Sequence, residues 1–122
     1  DEAIEVMKNI LSTSSKRNYS AGERSNRAIL LERLGYLQRQ GEYYMEAIES
    51  FRQMQQLDEE AAPRAAVHII ETHRLARDVT KAFEEAKGAK EKYPKDRAVQ
   101  SMYAFMAADA GKAAEAERTV KE

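Results

Sequence analysis

Ala47-Ile48-Glu49-Ser50-Phe51, continued by Arg52-Gln53-Met54, is the stretch on which the fold turns. Its spacing, Ala-x-x-x-Phe-x-x-Met, puts a small residue and two bulky ones on one side of a 3.6-residue period. The same spacing recurs as Ala3-x-x-x-Met7-x-x-Ile10 and Ala82-x-x-x-Ala86-x-x-Ala89, and Ala116-x-x-x-Val120 begins a fourth copy. Ala47, Ala82 and Ala116 fall 35 and 34 residues apart, the period of a two-helix repeat and not of a heptad coiled coil. The stretch is therefore one copy of a repeated packing unit.

Working outward, the chain punctuates itself as helices. Only two prolines and five glycines interrupt 122 residues dominated over long stretches by Ala, Glu, Lys, Arg, Gln and Met. A first helix is expected over about 1–11, followed by a polar break from Ser12 to Asn18. Ser20-Ala21-Gly22-Glu23 has the spacing of a capping box and opens a second helix that runs to Gln40, with Gly41 as its exit. A third helix spans Tyr43 to Leu57. Pro63 suits a first helical turn, because its missing amide hydrogen is not needed there. Helices then follow at about 63–76 and 79–92 across an Arg77-Asp78 turn without glycine. Pro94 ends the second of these and Asp96 caps the next. The final pair is expected at about 97–109 and 112–122, parted at Ala110-Gly111. The class is all-α, with stacked antiparallel helix pairs and about seven helices.

These features resemble the tetratricopeptide repeat family, whose paired helices stack into an alpha-alpha superhelix. Residues 28–61 carry Leu31, Leu34-Gly35, Ala47, Phe51 and Met54 at the family's packing positions, with Gly35 allowing close helix approach; Gly41 sits one place early. Residues 63–96 match through Ala66, Ile69-Ile70, Ala82, Ala86, Ala89 and Pro94, but Ile70 replaces the close-approach glycine and Ala86 the usual larger residue. Residues 97–122 form an incomplete repeat with Tyr103-Ala104, Ala107, Gly111 and Ala116. Residues 1–11 resemble the second helix of a preceding unit, and 12–27 read as an insertion and helix extension. An opening without Met, already inside a helical pattern, reads as a segment of a larger chain. An irregular seven-helix bundle is the alternative, and it would not stack the aligned alanines.

The resemblance implies a noncatalytic scaffold that binds a peptide or protein segment in a concave groove lined by first helices. Carried over position by position, the groove includes Tyr36 and Arg39, then Arg64, Glu71 and Arg74, then Phe105. Tyr36 and Phe105 are candidate apolar anchors, and the arginines are candidate partners for carboxylates or peptide backbone. The carboxylate-gripping constellation of one family subset is not reproduced, since His68 and Glu71 stand where Asn is expected. A structural spacer or self-association module is the competing reading, with exposed repeat ends offering a route to dimers.

Chemistry is sparse. There is no cysteine, which excludes disulfides and thiolate chemistry. His68 and His73 lie five positions apart and do not form the i,i+4 zinc pair of H-E-x-x-H, so no metal or other cofactor is expected. No nucleophile elbow or phosphate-binding glycine loop places a serine, and adjacent acids such as Glu59-Glu60 and Glu84-Glu85 point different ways on a helix. Enzyme activity is not expected. Twenty basic and 21 acidic side chains give a net charge of −1, which disfavours nucleic acid as the partner. The stretch Ser12–Asn26, which the bland reading makes a solvated insertion, is locally basic through Lys16, Arg17 and Arg24, with Arg27 just beyond it. Tyr19 is its candidate anchor for an acidic partner. No apolar run approaches the roughly 20 residues of a membrane helix, so direct membrane insertion is not expected. The opening DEAIEVMKNIL lacks the basic start of a secretory signal. No targeting signal fixes a compartment.

Overall fold

The computed structural model describes residues 2–15 and 18–121, with side chains through 109 and at Gly111. Among these described residues six helices follow in order: α1 Glu2–Thr13, α2 Ala21–Gln40, α3 Tyr44–Leu57, α4 Ala62–Leu75, α5 Val79–Lys92 and α6 Arg97–Lys121. No strand occurs among the described residues. Each helix packs on the next, and α4 also packs on α6, so α2/α3 and α4/α5 form consecutive antiparallel pairs in a repeat-like stack.

Local chemistry sets the boundaries. The Glu23 amide donates to Ser20 Oγ at 3.2 Å and the Ser20 amide donates to Glu23 Oε1 at 3.0 Å, so the capping box starts α2. The Lys81 amide donates to Asp78 Oδ1 at 3.1 Å, and the Val99 amide to Asp96 Oδ1 at 3.0 Å, starting α5 and α6. Pro63 occupies the first turn of α4.

The turns inside the two pairs are the same object 35 residues apart. In the first, the Tyr43 amide donates to the Gln38 carbonyl and Glu42 to Arg39; in the second, Asp78 donates to His73 and Arg77 to Arg74. This is the Schellman pattern, and it needs one left-handed residue. Glu42 (φ 65°) and Arg77 (φ 64°) fill that role, while Gly41 sits at φ −82° and uses none of its freedom. The early glycine thus precedes the position that needs one.

Two buried clusters run through the stack. The first joins Leu31, Leu34, Phe51, Met54 and Ile69; the second joins Ile70, Ala82, Ala86, Val99 and Met106. Gly35 is the close approach. A Cβ built there would lie 2.5 Å from a ring carbon of Phe51, which is fully buried. One repeat later the sizes invert: Ile70 takes the first-helix position and Ala86 the second-helix position, both fully buried. The two departures from the family pattern are thus one exchange of volume across the pair, which core packing tolerates.

Two expectations are corrected. The break at Ala110-Gly111 does not occur, and α6 runs through it, giving six helices. A lone glycine costs a helix only about 1 kcal/mol relative to alanine, and the alanine-rich segment around it contains no proline. In α1 the triad Ala3, Met7 and Ile10 is not the buried side: Ala3 and Ile10 are exposed, and Ile4 and Leu11 enter the core. These two match Ile48 and Gln55 of α3, the side that faces the following pair. Of the fourth copy, the side chains of Ala116 and Val120 lie outside the described residues, as does Asp1.

Candidate functional site

The first-helix face of α2, α4 and α6 carries all six groove candidates. Its centre is His68 of α4, 8% exposed, lying between two residues of α2. His68 Nε2 is 2.7 Å from Glu32 Oε2 and 3.0 Å from Tyr36 Oη. Glu32 Oε2 also accepts from Arg64 Nε at 2.7 Å. The Tyr36 ring meets the Phe51 and His68 rings edge-on, with centroids 5.9 and 4.9 Å away.

Protonation follows from the partners. An ionised carboxylate only accepts, so Nε2–H donates to Glu32, and Nδ1, which is buried without a hydrogen-bond partner, is the bare nitrogen. Protonating it would create an unpaired buried N–H. Burial accordingly pushes the His68 pKa below its ordinary value, against the hydrogen bond and charge of Glu32. Burial acts upward on Glu32, but hydrogen bonds from Arg64 and His68, with their charges, outweigh it and hold the carboxyl below its usual range. Burial, with Glu32 nearby, raises Tyr36. Glu32 and Tyr36 both meet Nε2 and Nδ1 has no partner, so no second group orients the imidazole through its other nitrogen as the aspartate of a catalytic triad does. The arrangement is a clamp between α2 and α4.

The other candidates extend this strip. Arg39 Nη1 is 3.5 Å from Glu71 Oε2, and its guanidinium carbon sits 5.1 Å from the Tyr36 ring centre. Arg74 lies 4.5 Å over the Phe105 ring and 3.9 Å from Asp109 Oδ2. Tyr36, Arg39, Arg64 and Glu71 thus surround the clamp, while Arg74 and Phe105 form a separate pair toward α6. In the register that matches the buried Val99 and Met106 to the buried Ala65 and Thr72, Phe105 follows Tyr36 and Glu71 along the strip. The residues missed in the sequence reading of this site are His68 and Glu32 as partners. Their signal was a separation of 36, close to one repeat.

The basic segment before α2 is partly structural. Arg27 donates to the Leu11 carbonyl at 2.8 Å and to Ser14 Oγ at 3.0 Å, and lies 5.1 Å over the Tyr19 ring. It closes the C-terminal end of α1 onto α2. Lys16 and Arg17 lie outside the described residues.

On the opposite side, a groove of about 660 Å³ runs between α3 and α5, lined by Met45, Ile48, Arg52, His73, Glu85 and Tyr93. Arg52 pairs with Glu85 across it. Burial lowers the His73 pKa, against Glu85 and Asp78. No group of three or more potential ligands that could hold a metal occurs among the described residues, and none of their helices is long and apolar enough to cross a membrane. Neither protein-family models nor curated proteins nor solved structures yield a match to the chain.

Proposed function

We propose that this chain is a noncatalytic protein-interaction module of tetratricopeptide-like type, holding an extended peptide or protein segment along the α2–α4–α6 face. The supporting observation is the row of Arg39, Arg64 and Arg74, each set against a carboxylate of its own chain, two of them over an aromatic ring. Ring stacking fixes guanidinium orientation before a ligand arrives, which lowers the ordering cost of binding. Arg74 and Asp109 form an exposed pair, of a kind that contributes only about 0–1 kcal/mol, so an incoming carboxylate or carbonyl can take that arginine over with little penalty. Glu71 and Asp109 then accept from the ligand's amides or lysines. Tyr36 and Phe105 supply apolar edges at either end. A face with both signs of charge favours mixed-charge segments over polyanions.

Selection of random displayed peptides on the folded chain tests this. Selected peptides should lose about tenfold or more in affinity, at least 1.4 kcal/mol, on Tyr36→Ala/Arg74→Ala, and nothing on Lys95→Ala in the α5–α6 turn. Failure to enrich any peptide, or equal binding by the folded double variant, would remove this reading.

A further inference from the structure

The second helix pair lacks a polar contact that the first pair makes. Gln38 of α2 and Ser50 of α3 are both buried, and the Ser50 hydroxyl donates to Gln38 Oε1 at 2.6 Å. In the second pair, 35 residues later, the same two positions hold His73 of α4 and Glu85 of α5. Glu85 does not turn to His73: its carboxylate pairs with Arg52 of α3. His73 is left 9% exposed, with no hydrogen bond from its ring to another described residue, and it lines the same α3–α5 groove as the ion pair. One carboxylate thus has two claimants.

Charge decides which of them holds it. A neutral imidazole offers a neutral hydrogen bond, whereas the Arg52 guanidinium offers a permanent charge in fork geometry, so Glu85 belongs with Arg52. Protonation reverses the order. A charged His73 is a buried cation without a partner, while the Arg52 side chain, 38% exposed, keeps water for its own charge. The carboxylate is therefore given up more cheaply by the wetter cation. The other charges around His73 are committed elsewhere or repel it. Asp78 caps α5 through the Lys81 amide and pairs with the Lys81 ammonium. Glu84 adjoins Glu85 on the groove wall but is exposed, and Lys81 and Arg52 are cations. On the α6 side Asp109 is held by Arg74. Burial keeps the His73 pKa below its ordinary value, against the pull of Glu85 and Asp78, so the exchange falls on the acid side of neutrality.

We infer that Glu85 is a proton-driven switch, bridging to Arg52 while His73 is neutral and turning to His73 once the imidazole is charged. Further along the groove Gln55 Nε2 donates to Tyr93 Oη at 3.3 Å, a neutral tie that proton uptake leaves in place. Acid therefore cuts a charged link between consecutive second helices without parting them. It also leaves an unpaired guanidinium beside Ile48, which makes that part of the groove receptive to an anionic group.

Double-mutant cycles at pH 8 and pH 5, read as urea midpoints by circular dichroism, test it. At pH 8 Arg52→Gln and Glu85→Gln should be coupled, the double variant losing less than the sum of the singles, while His73→Leu and Glu85→Gln should add. At pH 5 the pattern should exchange, with 52 and 85 additive and 73 and 85 coupled. Protonation of His73 is followed in parallel by imidazole NMR, assigned with His68→Gln, since the chain has two histidines. Arg52→Gln should raise the His73 titration midpoint by about one pH unit, and by less in the Glu85→Gln background. A His73 that stays neutral down to pH 5, a 52–85 coupling equal at both pH values, additivity of 73 and 85 at pH 5, or a midpoint shift unaffected by Glu85→Gln would each overturn the inference. The α2–α4–α6 face takes no part, so these outcomes leave the peptide-binding reading untouched.

Discussion

Exchanging Gly35 and Phe51 for the pair found one repeat later should reverse the sign of a mutation. Gly35→Ala would ordinarily gain about 1 kcal/mol from helix propensity. Here the added Cβ falls 2.5, 2.6 and 2.9 Å from three carbons of the Phe51 ring. That ring is fully buried and held between the Tyr36 and His68 rings, at 5.9 and 4.9 Å, so it cannot swing away. Overpacking costs about 1–3 kcal/mol, and three contacts this short belong at the upper end, leaving a net loss of about 2 kcal/mol. Phe51→Ala alone should cost about 3–5 kcal/mol through the void it leaves. Gly35→Ile, damaging by itself, should recover about 1–2 kcal/mol in the F51A background, because it recreates the buried Ile70 and Ala86 arrangement. The chain has no tryptophan, so the assay is urea and thermal unfolding followed by far-UV circular dichroism. A loss of 2 kcal/mol corresponds to a midpoint lowered by roughly 6–12 °C. A Gly35→Ala variant with a raised midpoint, or a Gly35→Ile change equally harmful in both backgrounds, would refute the volume-exchange account.

Three further outcomes follow from the turns, α6 and the histidines. Glu42→Gly and Arg77→Gly relieve left-handed backbone at φ 65° and 64°, and each should stabilise by about 0.5–1 kcal/mol, additively across 35 residues, in the same denaturation assay. Gly111→Ala should add about 1 kcal/mol and raise helical ellipticity, since nothing lies within 4 Å of a Cβ there; a loss would mean that the glycine serves a bend. His68 and His73 have folded pKa values below their ordinary 6.5, so the unfolded chain takes up protons first. Their contribution is present above about pH 6.5 and is lost as pH falls below it, with Glu32 adding a second loss below about 4.5. Urea midpoints should therefore drop from neutral pH to about pH 5, and His68→Gln/His73→Gln should flatten that drop.

Much of this architecture was legible where a residue's role is local. Ser20 and Glu23 announce α2 by spacing alone, and Pro63, Pro94 and Asp96 mark boundaries through backbone sterics and capping. Even the glycine-free turn at Arg77-Asp78 could be placed, from the polar step it makes between two helical stretches. What failed to show was what depends on a neighbour. Gly111 looked like a boundary, yet its surroundings favour helix strongly enough to carry the chain through. Ile70 and Ala86 each read as a weakening of the pattern, and only their packing shows them to be one compensated substitution. The candidate strip was placed by analogy of position; its internal pairing was not, because Glu32, Tyr36 and His68 meet across a repeat boundary. Arg27 likewise counted as a basic charge in a loop until its guanidinium was found on the carbonyl of Leu11.

The clamp at His68 lays a polar contact over a joint that apolar packing also makes. Between α2 and α4 the connection is made by long polar side chains: Arg64 and His68 on Glu32, Tyr36 on His68, Arg39 on Glu71. Beneath that layer, Phe51 and Met54 of α3 meet Ala65 and Ile69 of α4 in one buried apolar cluster. Ion pairs loosen with salt and with acid, whereas apolar packing is indifferent to both over the same range. The joint thus has one layer whose strength the solution sets and one that holds regardless, so salt or acid should slacken it without opening it.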